Sequence, residues 1–291
     1  MRRLAAALLA AALALGLWGC TEGEAEPSLS LPPEPTASQQ AQAQAFALAY
    51  DPQASLHPIS GQSQVNLDLA GLVYEGLYEL DQAFQPQPAL ARSASVSGDG
   101  LVWTITLRAD ARFSDGTPLT AAHVVSSLNA ARDSALYGAR LSAVASVAES
   151  EGTVVITLSA PNGALPALLD IPIVLEQEGG IPLGTGRYRF VQGQDGLSLL
   201  ANEDYGQALP CDSIELIPVT GADERIAAFD SGEVTAAVTD FTSSYALGYS
   251  GSYETCDFPT STLLYVGFRT ASGVCASAQV RQAFSKAFDR E

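Results

Sequence analysis

Phe113-Ser114-Asp115-Gly116-Thr117-Pro118-Leu119-Thr120 is the stretch whose reading decides the fold. Asp-Gly-Thr-Pro is turn chemistry: Asp folds its side chain back onto the main chain, Gly accepts a positive φ, and Pro presets its own. Thr120 is a good N-cap for a helix over 121–132. The stretch is therefore a strand, a turn and a helix start. His123 falls at the third helical position, where a capping box places an acid, and it reads as a partly exposed first-turn residue.

Outward from this junction, strand-like runs dominate: 45–50, 102–107, 153–158, 188–192, 197–202, 213–219 and 262–269. Between them, 66–77 reads as an amphipathic helix leading into Tyr78-Glu79-Leu80-Asp81, and 222–231 as another, stopped by Gly232. The chain is mixed α/β without internal repeats. Leu183-Gly184-Thr185-Gly186-Arg187-Tyr188-Arg189-Phe190 invites reading as a phosphate loop. It lacks the Gly-Lys-Ser/Thr of a P-loop and runs into a strand instead of opening a helix, so its glycines read as turn punctuation.

The N-terminus sets the compartment. Arg2 and Arg3 precede an apolar run from Leu4 to Leu17, closing on Leu17-Trp18-Gly19-Cys20, which has the logic of an export signal. The run is short for a bilayer span. Gly19-Cys20 resembles a lipobox, in which the thiol of Cys20 takes a diacylglycerol and becomes the first mature residue; an ordinary secretory signal with an incidental cysteine is the alternative. Residues 21–44 are Glu, Pro, Ser, Ala and Gln with almost no large apolar residue, so they cannot bury enough surface to offset chain entropy and read as a tether.

The formal charge is -18, and loss of the leader removes two arginines and no acid. Nucleic acid is excluded as a partner on that balance. Lys286 is the sole lysine, so no polybasic membrane patch exists and the anchor falls to the lipid. The rest of the chain holds Cys211, Cys256 and Cys275 in a compartment that permits disulfides. One bridge and one leftover thiol is the expectation, with Cys256–Cys275 preferred. No Cys-x-x-Cys pair occurs and His57 and His123 lie far apart, so no metal site is expected. No cofactor is expected either.

Eight short motifs in order carry a resemblance. They are Leu56-His57-Pro58, Tyr74-Glu75-Gly76-Leu77, Trp103-Thr104-Ile105-Thr106-Leu107-Arg108, the 113–120 stretch, Gly184-Thr185-Gly186-Arg187-Tyr188, Asn202-Glu203-Asp204-Tyr205, Ser231-Gly232-Glu233-Val234 and Val280-Arg281-Gln282-Ala283. Together they resemble the family 5 solute-binding proteins, the oligopeptide- and dipeptide-binding class of ABC importers. Three departures stand out: His57 where the family usually has Asp, His123 where it has an acid, and Arg269 where an Asn commonly ends the strand.

The resemblance implies a type II periplasmic-binding-protein-like α/β fold of the peptide-binding subclass, with an inserted extra domain. After a signal peptide over 1–19 and a tether over 20–44, it implies a base lobe from 45–80 and 176–270, an insert over 81–175, and the start of the opposing lobe at 271–291. The chain stops at Asp289-Arg290-Glu291, within a helix that family members follow with a second half, so truncation is expected, with the opposing lobe largely absent. A base lobe without its returning segment and partner is expected to expose apolar surface.

Positions matching the family's cleft are Gln62, Ser63 and Gln64, Tyr137 in the insert, and Asp240, Phe241 and Thr242. If Arg269 faces the cleft, it pairs with a ligand carboxylate. The function implied is a lipid-anchored, monomeric, non-enzymatic receptor outside the cytoplasmic membrane or in the periplasm. It takes peptides or similar small solutes and delivers them to an ABC permease. Two alternatives come from other classes. One is a secreted hydrolase using Ser126 or Ser114 with His123 and Asp115, opposed by the absence of a strained elbow. The other is a sensory or relic lobe without a transport role.

Overall fold

The computed structural model of the chain describes residues 46–194, 196–239, 248–258 and 267–287, and two four-stranded sheets organise them. The leader, Cys20 and the tether lie outside the described residues, as do Asp240, Phe241 and Thr242.

The first sheet has the order β1-β10-β9-β8, from Ala47–Tyr50 (β1), Ser213–Pro218 (β10), Leu197–Ala201 (β9) and Tyr188–Gln192 (β8). The β1–β10 pair runs parallel, Ala47 opposite Glu215 and Tyr50 opposite Pro218; the other pairings are antiparallel. A parallel pair needs a long crossover, and here 162 residues separate its two strands.

The second sheet has the order β4-β5-β7-β6 and is antiparallel throughout: Ala91–Val96 (β4), Val102–Leu107 (β5), Thr153–Leu158 (β7) and Val144–Ser150 (β6). The two sheets draw on different stretches of chain, one from 47–50 and 188–218, the other from 91–158. Between them Tyr78–Leu80 (β2) and Pro86–Pro88 (β3) form a ribbon. Prolines are tolerated in β3 because it is an edge.

Helices Gln64–Val73 (α1), Ala121–Asp133 (α2), Ala222–Ser231 (α3) and Ala278–Ala287 (α4) complete the elements. In β7, Val154, Ile156 and Leu158 are buried on one face, the period-two pattern of a half-covered strand. They pack with Ile105, Val124, Leu128 and the fully buried Phe113 into one cluster that continues through Leu77 and Ile173 to Leu199 and Ile214 of the first sheet.

The sequence expectations hold for most elements, and the departures have local causes. Helix α1 ends at Val73, four residues before the apolar pattern does, because Tyr74 turns extended (φ -121°, ψ 141°). The stretch 74–77 keeps its apolar period because Tyr74 and Leu77 are buried all the same. Strands β4 and β6 were not expected; each carries a register shift, at Ala91/Ser93 and Val144/Ser146, which breaks the alternation that reveals a strand. The expected strand over 262–269 lies mostly outside the described residues, and 267–270 is irregular.

Cys211, Cys256 and Cys275 are all free thiols, so the expected Cys256–Cys275 bridge is not formed in this structure. Cys256 sits in an irregular exposed segment and Cys275 in a short 3-10 turn before α4. Exposed large apolar side chains concentrate late in the chain, at Val238, Tyr253, Phe258, Val274 and Phe284.

Candidate ligand-binding site

Loops leaving the carboxyl ends of parallel strands are where open α/β sheets hold their ligands. Here that place is the end of β1 and β10, where Val219 N–H donates to Tyr50 O at 2.8 Å and the segments 51–63 and 219–221 emerge side by side. The first of these is fixed by two side chains. Asn66, 3% exposed, accepts from Asp51 N–H at 2.8 Å through Oδ1, while its Nδ2 donates to the carbonyls of Asp51, Ala54 and Ser55 at 2.9 to 3.3 Å. His57 presents Nδ1 to the N–H groups of Ile59 and Ser60 at 3.1 and 3.3 Å, and its Nε2 lies 3.1 Å from Glu176.

An imidazole accepting at Nδ1 has the Nε2–H tautomer. It therefore does here what an Asp carboxylate does in a turn. His123 repeats the substitution: its Nδ1 accepts from Thr120 N–H at 3.2 Å, closing the capping box that the sequence lacked an acid to close. The ring of His123 also packs edge-on against Phe113, 5.1 Å between centroids.

The segments so held enclose a cavity of about 160 Å³ lined by Asp51, Ser63, Val65, Val219, Ala222 and Arg225. That is the liquid volume of about five waters, room for one end of a solute. Ser63 precedes α1 without capping it through its side chain, and Arg225 Nε is buried with no hydrogen-bond partner. Asp68 sits behind: burial pushes its carboxyl above the usual carboxylate range, against a hydrogen bond from Gln64 and the charge of Arg225. The residues lining the site supply a guanidinium, a hydroxyl and one carboxylate.

The expected cleft residues divide accordingly. Ser63 lines this cavity, exposed Gln62 precedes it, and Gln64 donates to Asp68 at 2.8 Å from the first turn of α1. Tyr137 is elsewhere, half-buried after α2, taking Ser134 Oγ at its N–H and packing against the main core; burial raises its phenol. Arg269 is exposed in the irregular 267–270 segment. Asp51 and Arg225 were missed. Arg225 lies on a helix with Asp223 and Glu224, a pattern that reads as a solvated charged face, and its burial arises from neighbours distant in sequence.

The glycine motif is structural. A Cβ on Gly184 would stand 2.0 Å from Val73 O, and Gly186 N–H donates to that same carbonyl at 2.9 Å. Asn202, 4% exposed, holds the motif from the other side through Nδ2 to Gly186 O at 2.8 Å. The hydrolase constellation is otherwise engaged: Asp115 accepts from Thr117 N–H and Oγ1, and His123 Nδ1 faces Thr120.

A two-sheet α/β chain with a recess at the ends of a parallel pair and a separate antiparallel sheet in the crossover defines the class: a type II periplasmic-binding-protein fold. The chain belongs to the bacterial extracellular solute-binding proteins, family 5, whose middle-region model matches residues 85–291. It is 30% identical over 256 residues to the glutathione-binding protein GsiB of Escherichia coli O1:K1, covering 81% of this chain and 50% of that protein. The chain thus spans about half the length of the curated relatives it matches. NikZ from Campylobacter jejuni, solved in complex with Ni(L-His), superposes with a TM-score of 0.53 at 25% identity, over 65% of this chain and 42% of that one. The oligopeptide-binding protein AppA from Bacillus subtilis, solved with a nonapeptide, shares the fold at 21% identity with a TM-score of 0.53, over 65% and 42% of the two chains.

Proposed function

We propose that this chain is the ligand-capturing part of an extracytoplasmic receptor for an ABC importer, taking short peptides or comparably polar small solutes. The observation that carries the reading is the recess at the ends of β1 and β10, where Ser63 and Arg225 line a space sized for one polar end of a solute. Relatives named or solved with glutathione, a nonapeptide and a nickel–histidine complex support it: all three ligands are built from amino acids. Gln62, Gln64, Asp240, Phe241 and Thr242 complete the proposed contact set, Tyr137 is proposed to meet the ligand from outside the recess, and Arg269 is proposed to meet a ligand carboxylate. A lipid on Cys20 holds the receptor at the membrane, and the acidic chain binds as a monomer without metal or cofactor.

Thermal-shift measurements on the full-length protein against glutathione, alanine peptides of two to nine residues and Ni(L-His) test this. At least one peptide is expected to raise the melting temperature, and Ser63→Trp, which fills the recess, to abolish the shift. A shift that survives Ser63→Trp unchanged places the ligand elsewhere and refutes the assignment.

A further inference from the structure

The sheet order puts β8 at the edge farthest from β1, away from the proposed cleft. Beside β8, under the 179–184 loop, lies a cavity of about 400 Å³. Val73, Ile181, Phe190 and Leu197 supply apolar walls, and Ser114 and Arg189 stand among them. Its volume is that of a small-molecule pocket, and its lining is mixed, the apolar wall being interrupted by Ser114, Arg189 and Gln192. The glycines of the 183–186 turn keep Val73 and the loop at their close approach, so the space is formed by the fold itself.

The side chain of Arg189 forms no hydrogen bond or ion pair with any described residue. Of the described arginines, Arg189 is the one that lines this cavity. A planar guanidinium beside an apolar wall matches a carboxylate attached to an apolar body: two parallel N–H···O bonds for the carboxylate and burial for the remainder. We propose that this cavity is a second binding site, separate from the solute cleft, for a small apolar carboxylate of the aryl-alkanoate or branched-alkanoate class. Arg189 takes the carboxylate, and Phe190, Leu197 and Ile181 take the hydrocarbon.

Calorimetric titration of phenylacetate into the full-length protein tests it, with 2-phenylethanol as the uncharged probe. The wild type is expected to bind phenylacetate saturably, more weakly as sodium chloride is raised from 50 to 500 mM, and Arg189→Gln to weaken it at least tenfold. Because Arg189 is unpaired and partly exposed, the variant is expected to keep the wild-type melting temperature, which checks its folding. Phenylethanol is expected to bind wild type and Arg189→Gln alike, and Arg225→Gln to bind phenylacetate as the wild type does. Absence of saturable phenylacetate binding overturns the proposal. So does equal binding by Arg189→Gln, or loss of binding in Arg225→Gln with Arg189→Gln unaffected, which assigns the carboxylate to the cleft.

Discussion

Glu75 is 8% exposed within Tyr74-Glu75-Gly76-Leu77, and burial raises its carboxyl above the usual range; Thr185, Arg108 and Arg187 oppose the shift and Glu79 adds to it. An acid whose folded pKa is raised stabilises the fold below its unfolded pKa, and that contribution is lost as pH rises through the folded value. Glu75→Gln removes the titration. Its melting temperature relative to wild type is therefore expected to improve between pH 4 and pH 7, and a difference that does not change with pH contradicts the burial argument. His57 makes the complementary case, since its Nδ1 takes two main-chain N–H groups. His57→Leu leaves both without that acceptor and is expected to cost about 1–3 kcal/mol in urea denaturation, whereas His57→Asn, with an acceptor in reach, costs less. The sequence showed that both histidines stand where acids are usual. It did not show that they do an acid's work, because the choice of Nδ1 as acceptor depends on backbone geometry that residue identity does not display.

Among elements, helix α3 is legible to the residue because Gly221 and Gly232 bracket it, Gly232 with φ 83°. Helix α1 is legible in kind but not in length, because its end is set by contact with a segment over a hundred residues away. Gly184 lies against Val73 O, the carbonyl that Gly186 N–H also takes. Gly184→Ala is therefore expected to destabilise the fold by about 3 kcal/mol or more by overpacking. Gly152→Ala is the control for a crowding effect: nothing lies near its Cβ, and its cost is limited to the strain of φ 76°. Equal urea midpoints for the two variants contradict the packing account. The candidate site is half legible for the same reason: Ser63 follows from its match to a cleft position of the family, whereas Arg225 becomes a site residue only when β1 and β10 pair.

At the scale of the molecule, a chain of net charge -18 carries its exposed large apolar side chains mainly beyond residue 232, with the amphipathic α4 burying none of its residues. The chain spans about half the length of the curated relatives it matches, and the partner lobe proposed for it would cover an apolar surface of that kind. The proposed anchor belongs to this scale too. Cys20→Ala is expected to move the protein from the membrane fraction to the soluble fraction of its native host, and unchanged membrane retention contradicts lipidation at that residue. The central claim, solute capture at the carboxyl ends of β1 and β10, is tested most directly by amide hydrogen exchange on the full-length protein, free and saturated with the most stabilising peptide of the panel above. Slowed exchange concentrated in residues 51–63 and 219–225 is the predicted result; slowed exchange confined to other segments, or none, contradicts it.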